Sequence, residues 1–192
     1  MAISRLLVKD RRTEVETYLE NEASEENLRT LSGKRTNLLH LATHGYFIEN
    51  QIQNSNGFID MNAQNPLLNS GLILASSSSS NQFNSMKDGV VTALDISKMN
   101  FSNTDLVVLS ACETGLGIEL GGEGVFGLQR AFKIAGAKSV MVSLWKVPDS
   151  QTALLMEKFY QYLSVGLSPE NALREAQMNM REQFPEPFYW AG

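Results

Sequence analysis

Apolar residues fall into short, scattered runs in the first half of the chain and into longer, more regular stretches in the second. Ile3, Leu6 and Leu7 have the spacing of the end of an amphipathic helix. Val15, Thr17 and Leu19 alternate with more polar neighbours and predict a half-buried strand. Ser24 is placed to cap a short helix over Glu25 to Leu31, with two acids in its first turn and Gly33 at its end. The apolar run from Asn37 to Thr43 is short and bounded by turn residues, which predicts a buried strand delivering His44-Gly45 at its carboxyl end. Glu49 to Asn69 is rich in Asn, Gln and Ser and reads as a loop. Gly71 to Ala75 and Gly89 to Leu94 read as a β-hairpin whose tip carries the low-complexity run Ser76 to Ser80.

The second half predicts alternating strands and helices. Asp105 to Ala111 is a strand ending at Cys112, and a Gly-rich stretch from Gly115 to Gly124 follows. A helix over about Gly124 to Ala135 closes at Gly136, and Lys138 to Leu144 is the next strand. Pro148 opens a helix reaching about Leu163, and Ser168-Pro169 opens the last one, to about Gln183. Pro185 and Pro187 close it, before an apolar end at Trp190-Ala191-Gly192. Strand–helix–strand–helix order with short connections implies parallel pairing and a helix-covered sheet.

Composition narrows the function classes. A chain of 192 residues with an ordinary apolar fraction forms one globular domain with a real core. The net charge of −5, with no basic run longer than Lys34-Arg35 and the acid-interrupted Lys9-Asp10-Arg11-Arg12, argues against a nucleic-acid partner. No apolar run reaches the roughly 20 residues that span a bilayer, so no membrane role is expected. A single cysteine forms no intramolecular disulfide, which fits a reducing compartment and predicts a cytoplasmic location. One Cys and two His do not make a zinc site, and neither metal nor organic cofactor is expected.

The chemistry gathers at two strand ends, where open α/β sheets place their sites. His44-Gly45 stands at one, and Ser110-Ala111-Cys112-Glu113-Thr114-Gly115 at the other. A thiol nucleophile needs a base to raise its thiolate fraction, and imidazole suits that task near neutral pH. A lone cysteine in an apolar strand is more often core filler, whereas the place of Cys112, where the apolar run stops and a polar loop begins, favours partial exposure. The backbone N–H groups of Gly45 and Cys112 are candidates for an oxyanion hole. His40 alternates with residues inside its strand and reads as a buried, hydrogen-bonded structural group. The Gly115 to Gly124 stretch lacks the Gly-Lys-Ser/Thr of a phosphate loop and carries Glu119 and Glu123, so it reads as a substrate loop. Asp149 is either a helix-start acid or the acidic floor of a pocket for a basic substrate residue.

These residues resemble a known family. Leu39-His40-Leu41-Ala42-Thr43-His44-Gly45 and Leu109-Ser110-Ala111-Cys112-Glu113-Thr114-Gly115 resemble the histidine and cysteine motifs of CHAT-domain peptidases, relatives of caspases and separase. Gly122-Glu123-Gly124, Arg130-Ala131-Phe132, Ala135-Gly136-Ala137 and Ser143-Leu144-Trp145 continue the likeness in order, over nearly the whole chain. The resemblance implies a caspase-like three-layer α/β/α fold with a mostly parallel central sheet. It implies one peptidase domain over 1–192, cut at both ends from a longer chain. It makes His44 the general base, Cys112 the nucleophile and Asp149 the selector of a basic residue before the cut. The expected partners are a protein or peptide substrate and a fused repeat of tetratricopeptide type or a sensor domain. The rival class is a catalytically silent interaction module with the same fold.

Overall fold

A computed structural model describes residues 14–47, 66–76, 89–110, 123–145 and 147–192. These form two compact units, one spanning Leu19–Leu144 and the other comprising 14–18 and Trp145–Gly192. The predicted helix end at Ile3 to Leu7, the Ser77 to Ser80 part of the serine run and most of the Glu49 to Asn69 loop lie outside the described residues.

In the first unit the strands are β1 (Thr36–Leu41), β2 (His44–Phe47), β3 (Ser70–Ile73), β4 (Val90–Thr92), β5 (Thr104–Leu109) and β6 (Ser139–Val142). Its helices are α1 (Glu25–Thr30), α2 (Pro66–Asn69), α3 (Ala93–Ser97) and α4 (Glu123–Ile134). β1, β5 and β6 form a parallel sheet with β5 in the middle. β2, β3 and β4 form a separate antiparallel sheet. β5 is buried at five of its six positions, the continuous apolar run of a parallel strand covered on both faces. A polar clip ties the amino ends of the parallel strands: Lys138 Nζ donates to Asp105 Oδ1 at 2.6 Å and Asn37 Nδ2 to Asp105 Oδ2 at 2.9 Å. The Lys138 hydrogen bond, followed by that from Asn37, holds the Asp105 carboxyl below its usual range.

The core of this unit gathers Leu39 from β1, Leu72 from β3, Val91 from β4, Ile96 from α3, Val107 and Leu109 from β5, and Phe132 from α4. Phe132 is fully buried, its ring 5.4 Å from that of Phe101. Gly71 lies at the tightest point of the antiparallel sheet, where a Cβ would collide with the Val91 carbonyl and the Tyr46 ring.

The second unit carries α5 (Asp149–Ser164) and α6 (Pro169–Gln183). The Ser168 hydroxyl accepts from Asn171 N–H at 3.4 Å with Pro169 in the first turn, as its sequence predicts. One device closes both α4 and α5. Gly136 and Gly166 adopt φ of +99° and +94°. The residue after each glycine donates back across the turn, Ala137 to the Phe132 carbonyl and Leu167 to that of Tyr162. The aromatic tail is fastened as well: Trp145 Nε1 donates to the Phe188 carbonyl at 2.9 Å, and Trp190 Nε1 to that of Phe184 at 3.0 Å. No helix among the described residues is long and apolar enough to cross a membrane.

Three local expectations are corrected. Residues 14–19 form no strand; the chain passes into a short 3-10 helix, Glu20–Glu22, and Leu19 is exposed, since polar–apolar alternation alone does not make a strand. The end of the Glu49 to Asn69 loop is helical from Pro66 to Asn69. The hairpin's second arm stops at Thr92, where a capping box starts α3: Thr92 Oγ1 accepts from Asp95 N–H at 3.1 Å and Thr92 N–H donates to Asp95 Oδ2 at 3.2 Å. The antiparallel pairing of β3 with β4 agrees with the hairpin reading.

Phe132→Ala is expected to lower the free energy of unfolding by about 3–5 kcal/mol in chemical denaturation, because it empties a fully enclosed ring site. A loss below about 1 kcal/mol would mean that the cluster around Phe101 is not the centre of this unit's stability.

Candidate active site

Parallel pairing makes the carboxyl ends of β1 and β5 coincide. The register matches His40 with Val108 and Leu41 with Leu109. The ladder extends one residue further, since Ser110 N–H donates to the Leu41 carbonyl at 3.1 Å. His44 and Cys112 are each the third residue beyond the matched Leu41–Leu109 pair. Cys112 and the Gly115 to Gly122 stretch lie outside the described residues, and Ser110 is the last residue described before them.

The histidine arm departs from the expected single strand. β1 ends at Leu41, and His44 opens β2 instead of closing β1. The reason lies in the partners. After β1 the chain passes through Ala42-Thr43 and pairs with β3. There His44 stands opposite Ile73, and the Thr43 hydroxyl donates to the Ile73 carbonyl. The His44 side chain is on an exposed residue, while Gly45 is buried opposite Leu72. Thr43 is therefore an anchor of this arm that pattern reading missed; a hydroxyl flanking a strand break is its only trace in the sequence.

His40 behaves as its alternation implies. It is half-buried, and its Nε2 lies 2.7 Å from Ser110 Oγ. Burial, which penalises the imidazolium, pushes its pKa down from 6.5 to about 4. The ring is neutral at pH 7, with the direction of its hydrogen bond to Ser110 set by its tautomer. Ser110 is the second residue that motif reading passed over, and only the parallel register reveals that it meets His40.

Asp149 is exposed and is the first residue of α5, after the N-cap Pro148. An acid there complements the helix dipole. It belongs to the second compact unit, whereas His40, His44 and Ser110 belong to the first. Among the described residues no group of three His, Cys, Asp or Glu side chains is placed to hold a metal ion.

The depressed value for His40 sets a pH window. An unfolded histidine titrates near 6.5, so between about 6.5 and about 4 the unfolded chain binds a proton that the folded chain refuses. Stability is fully present above that window and falls as pH drops through it, by up to about 1.4 kcal/mol per pH unit. Denaturation at a series of pH values should show this slope in the native protein and lose it in His40→Gln. Equal slopes in both would show that His40 is not the group refusing the proton.

Comparison with known proteins places this architecture. The model of a family described as the CHAT domain matches residues 2–192. Tetratricopeptide repeat protein 28 of Mus musculus is 34% identical over 109 residues, which is 56% of this chain and 4% of that protein. The Homo sapiens protein of the same name matches at the same 34% identity and coverage. The chain thus corresponds to a small part of the length of these relatives. No solved structure matches. With the family match running almost from end to end, the chain belongs to the CHAT domain family.

Proposed function

We propose that this domain is a cysteine endopeptidase on a caspase-like three-layer α/β/α scaffold, with His44 as general base and Cys112 as nucleophile. The observation that carries the reading is the register of adjacent parallel strands, which matches Leu41 with Leu109, each three residues in sequence before one of the pair. Such strands lie about 4.8 Å apart, and three residues of chain reach at most about 11 Å, so the two arms start within reach of each other. Membership of a caspase-like family supports the same chemistry.

In the proposed cycle His44 takes the Cys112 proton, and the thiolate attacks the carbonyl carbon of a peptide bond. The N–H groups of Gly45 and Cys112 hold the oxyanion. His44 protonates the departing amine, leaving a thioester on Cys112. Water, deprotonated by His44, then releases the acid and restores the thiol. Asp149 selects a basic residue before the cut. The substrates are proteins of the cytoplasm, and a fused repeat or a partner gates access. The relatives' own name, which records tetratricopeptide repeats, supports that arrangement. The second reading is a catalytically silent interaction module with the same fold, which the repeats recorded in the relatives' name also suit.

Turnover of a peptide library with Arg at the cleavage position tests the choice. Cys112→Ala and His44→Ala should each lower kcat/KM about a thousandfold or more. Asp149→Ala should raise KM for Arg peptides about tenfold and leave peptides with an uncharged residue there unchanged. Cleavage that survives Cys112→Ala would refute the mechanism, and a chain inert toward the whole library in its native, full-length context would favour the binding module.

A further inference from the structure

We propose that the His40–Ser110 hydrogen bond is a positioning device that holds the two arms carrying His44 and Cys112 in a fixed relation. The inference rests on the peptidase reading above. Its basis is where the contact falls. His40 is matched with Val108, and Ser110 lies two residues further along on the same face of the sheet, so the bond runs diagonally from β1 to the residue just past β5. Ties that join the chains at this end include Ser110 N–H to the Leu41 carbonyl at 3.1 Å, and the Ser110 hydroxyl to His40 Nε2 at 2.7 Å. The first fixes the Ser110 backbone and the second its side chain. From Ser110 the chain needs two residues to arrive at Cys112, and from His40 four to arrive at His44. Play at Ser110 would pass to the nucleophile, and misplacement of a reacting group by a fraction of its contact distance is costly in rate.

A Ser–His contact of this length is also how a serine nucleophile meets its base. Here the imidazole is half-buried and resists protonation, which makes it a poor acceptor of a nucleophile's proton and a good permanent tether. His40 and Ser110 are therefore positioning residues, acting through the dyad and not on the substrate.

The test is the second-order rate of alkylation of Cys112 by iodoacetamide at pH 7, in full-length protein, beside thermal unfolding of each variant. Ser110→Ala, which removes one oxygen, and His40→Leu, which keeps bulk without a hydrogen-bonding group, should each slow labelling about tenfold. His40→Gln restores a hydrogen-bonding group at that position and should stay within about threefold of the native rate. A merely structural role predicts rates that follow the melting temperature, with no rescue by Gln. If His44→Ala slows labelling while folded Ser110→Ala labels at the native rate, the dyad stands and the positioning inference falls. If His44→Ala labels at the native rate, the peptidase reading itself falls.

Discussion

The pairing of β1 with β5 in a parallel register is the constraint on which the rest of the first unit depends. Antiparallel neighbours would send the two chains out of opposite ends of the sheet. Parallel neighbours send them out together, so both strands end at one edge of the sheet. The register is held at both ends by polar side chains. Asn37, Asp105 and Lys138 clip the amino ends, and His40 with Ser110 clips the carboxyl ends. Between the clips the apolar middle of β5 supplies the burial, with Val107 and Leu109 entering the cluster around Phe101 and Phe132. A slip of one residue would turn that set to the other face and part His40 from Ser110.

The two histidines differ in kind although they are four residues apart in sequence. His40 is inside a strand, half-buried, bonded to Ser110 and kept neutral by its surroundings. His44 is past the strand break, exposed, and mounted on a different sheet opposite Ile73. The break at Ala42-Thr43 makes this division of labour possible. It frees one imidazole from the core while the Thr43 hydroxyl, donating to the Ile73 carbonyl, keeps its backbone in place.

Much of this was legible before the structure. Strands carrying apolar runs and helices with recognisable start or stop residues announced themselves: β5, β6, α1, α4, α5 and α6 lie within a few residues of expectation. Caps are local chemistry, and Ser24 and Ser168 act as their positions imply. What failed was whatever depends on a distant partner. The alternation at Val15 to Leu19 is in no strand among the described residues, and the run from Asn37 is split, its second part pairing with β3 instead of continuing β1. α3 was missed although Thr92-Ala93-Leu94-Asp95 spells a capping box, because the apolar residues there were assigned to a strand. Of the candidate site, the types and order of the chemistry-bearing residues could be read from motifs. That β1 and β5 are neighbours could be expected from alternation, but the meeting of His40 with Ser110 needs the register, which no local pattern carries.

The most direct measurement is of closeness between His44 and Cys112. Dibromoacetone alkylates a thiol with one end and an imidazole within its three-carbon span with the other. Digestion of the treated protein and mass spectrometry should yield a single cross-linked product joining the peptide that holds His44 to the one that holds Cys112, and His44→Ala should abolish it. Reaction at Cys112 alone, or a bridge that persists in His44→Ala, would show that the register of β1 and β5 does not bring base and thiol together.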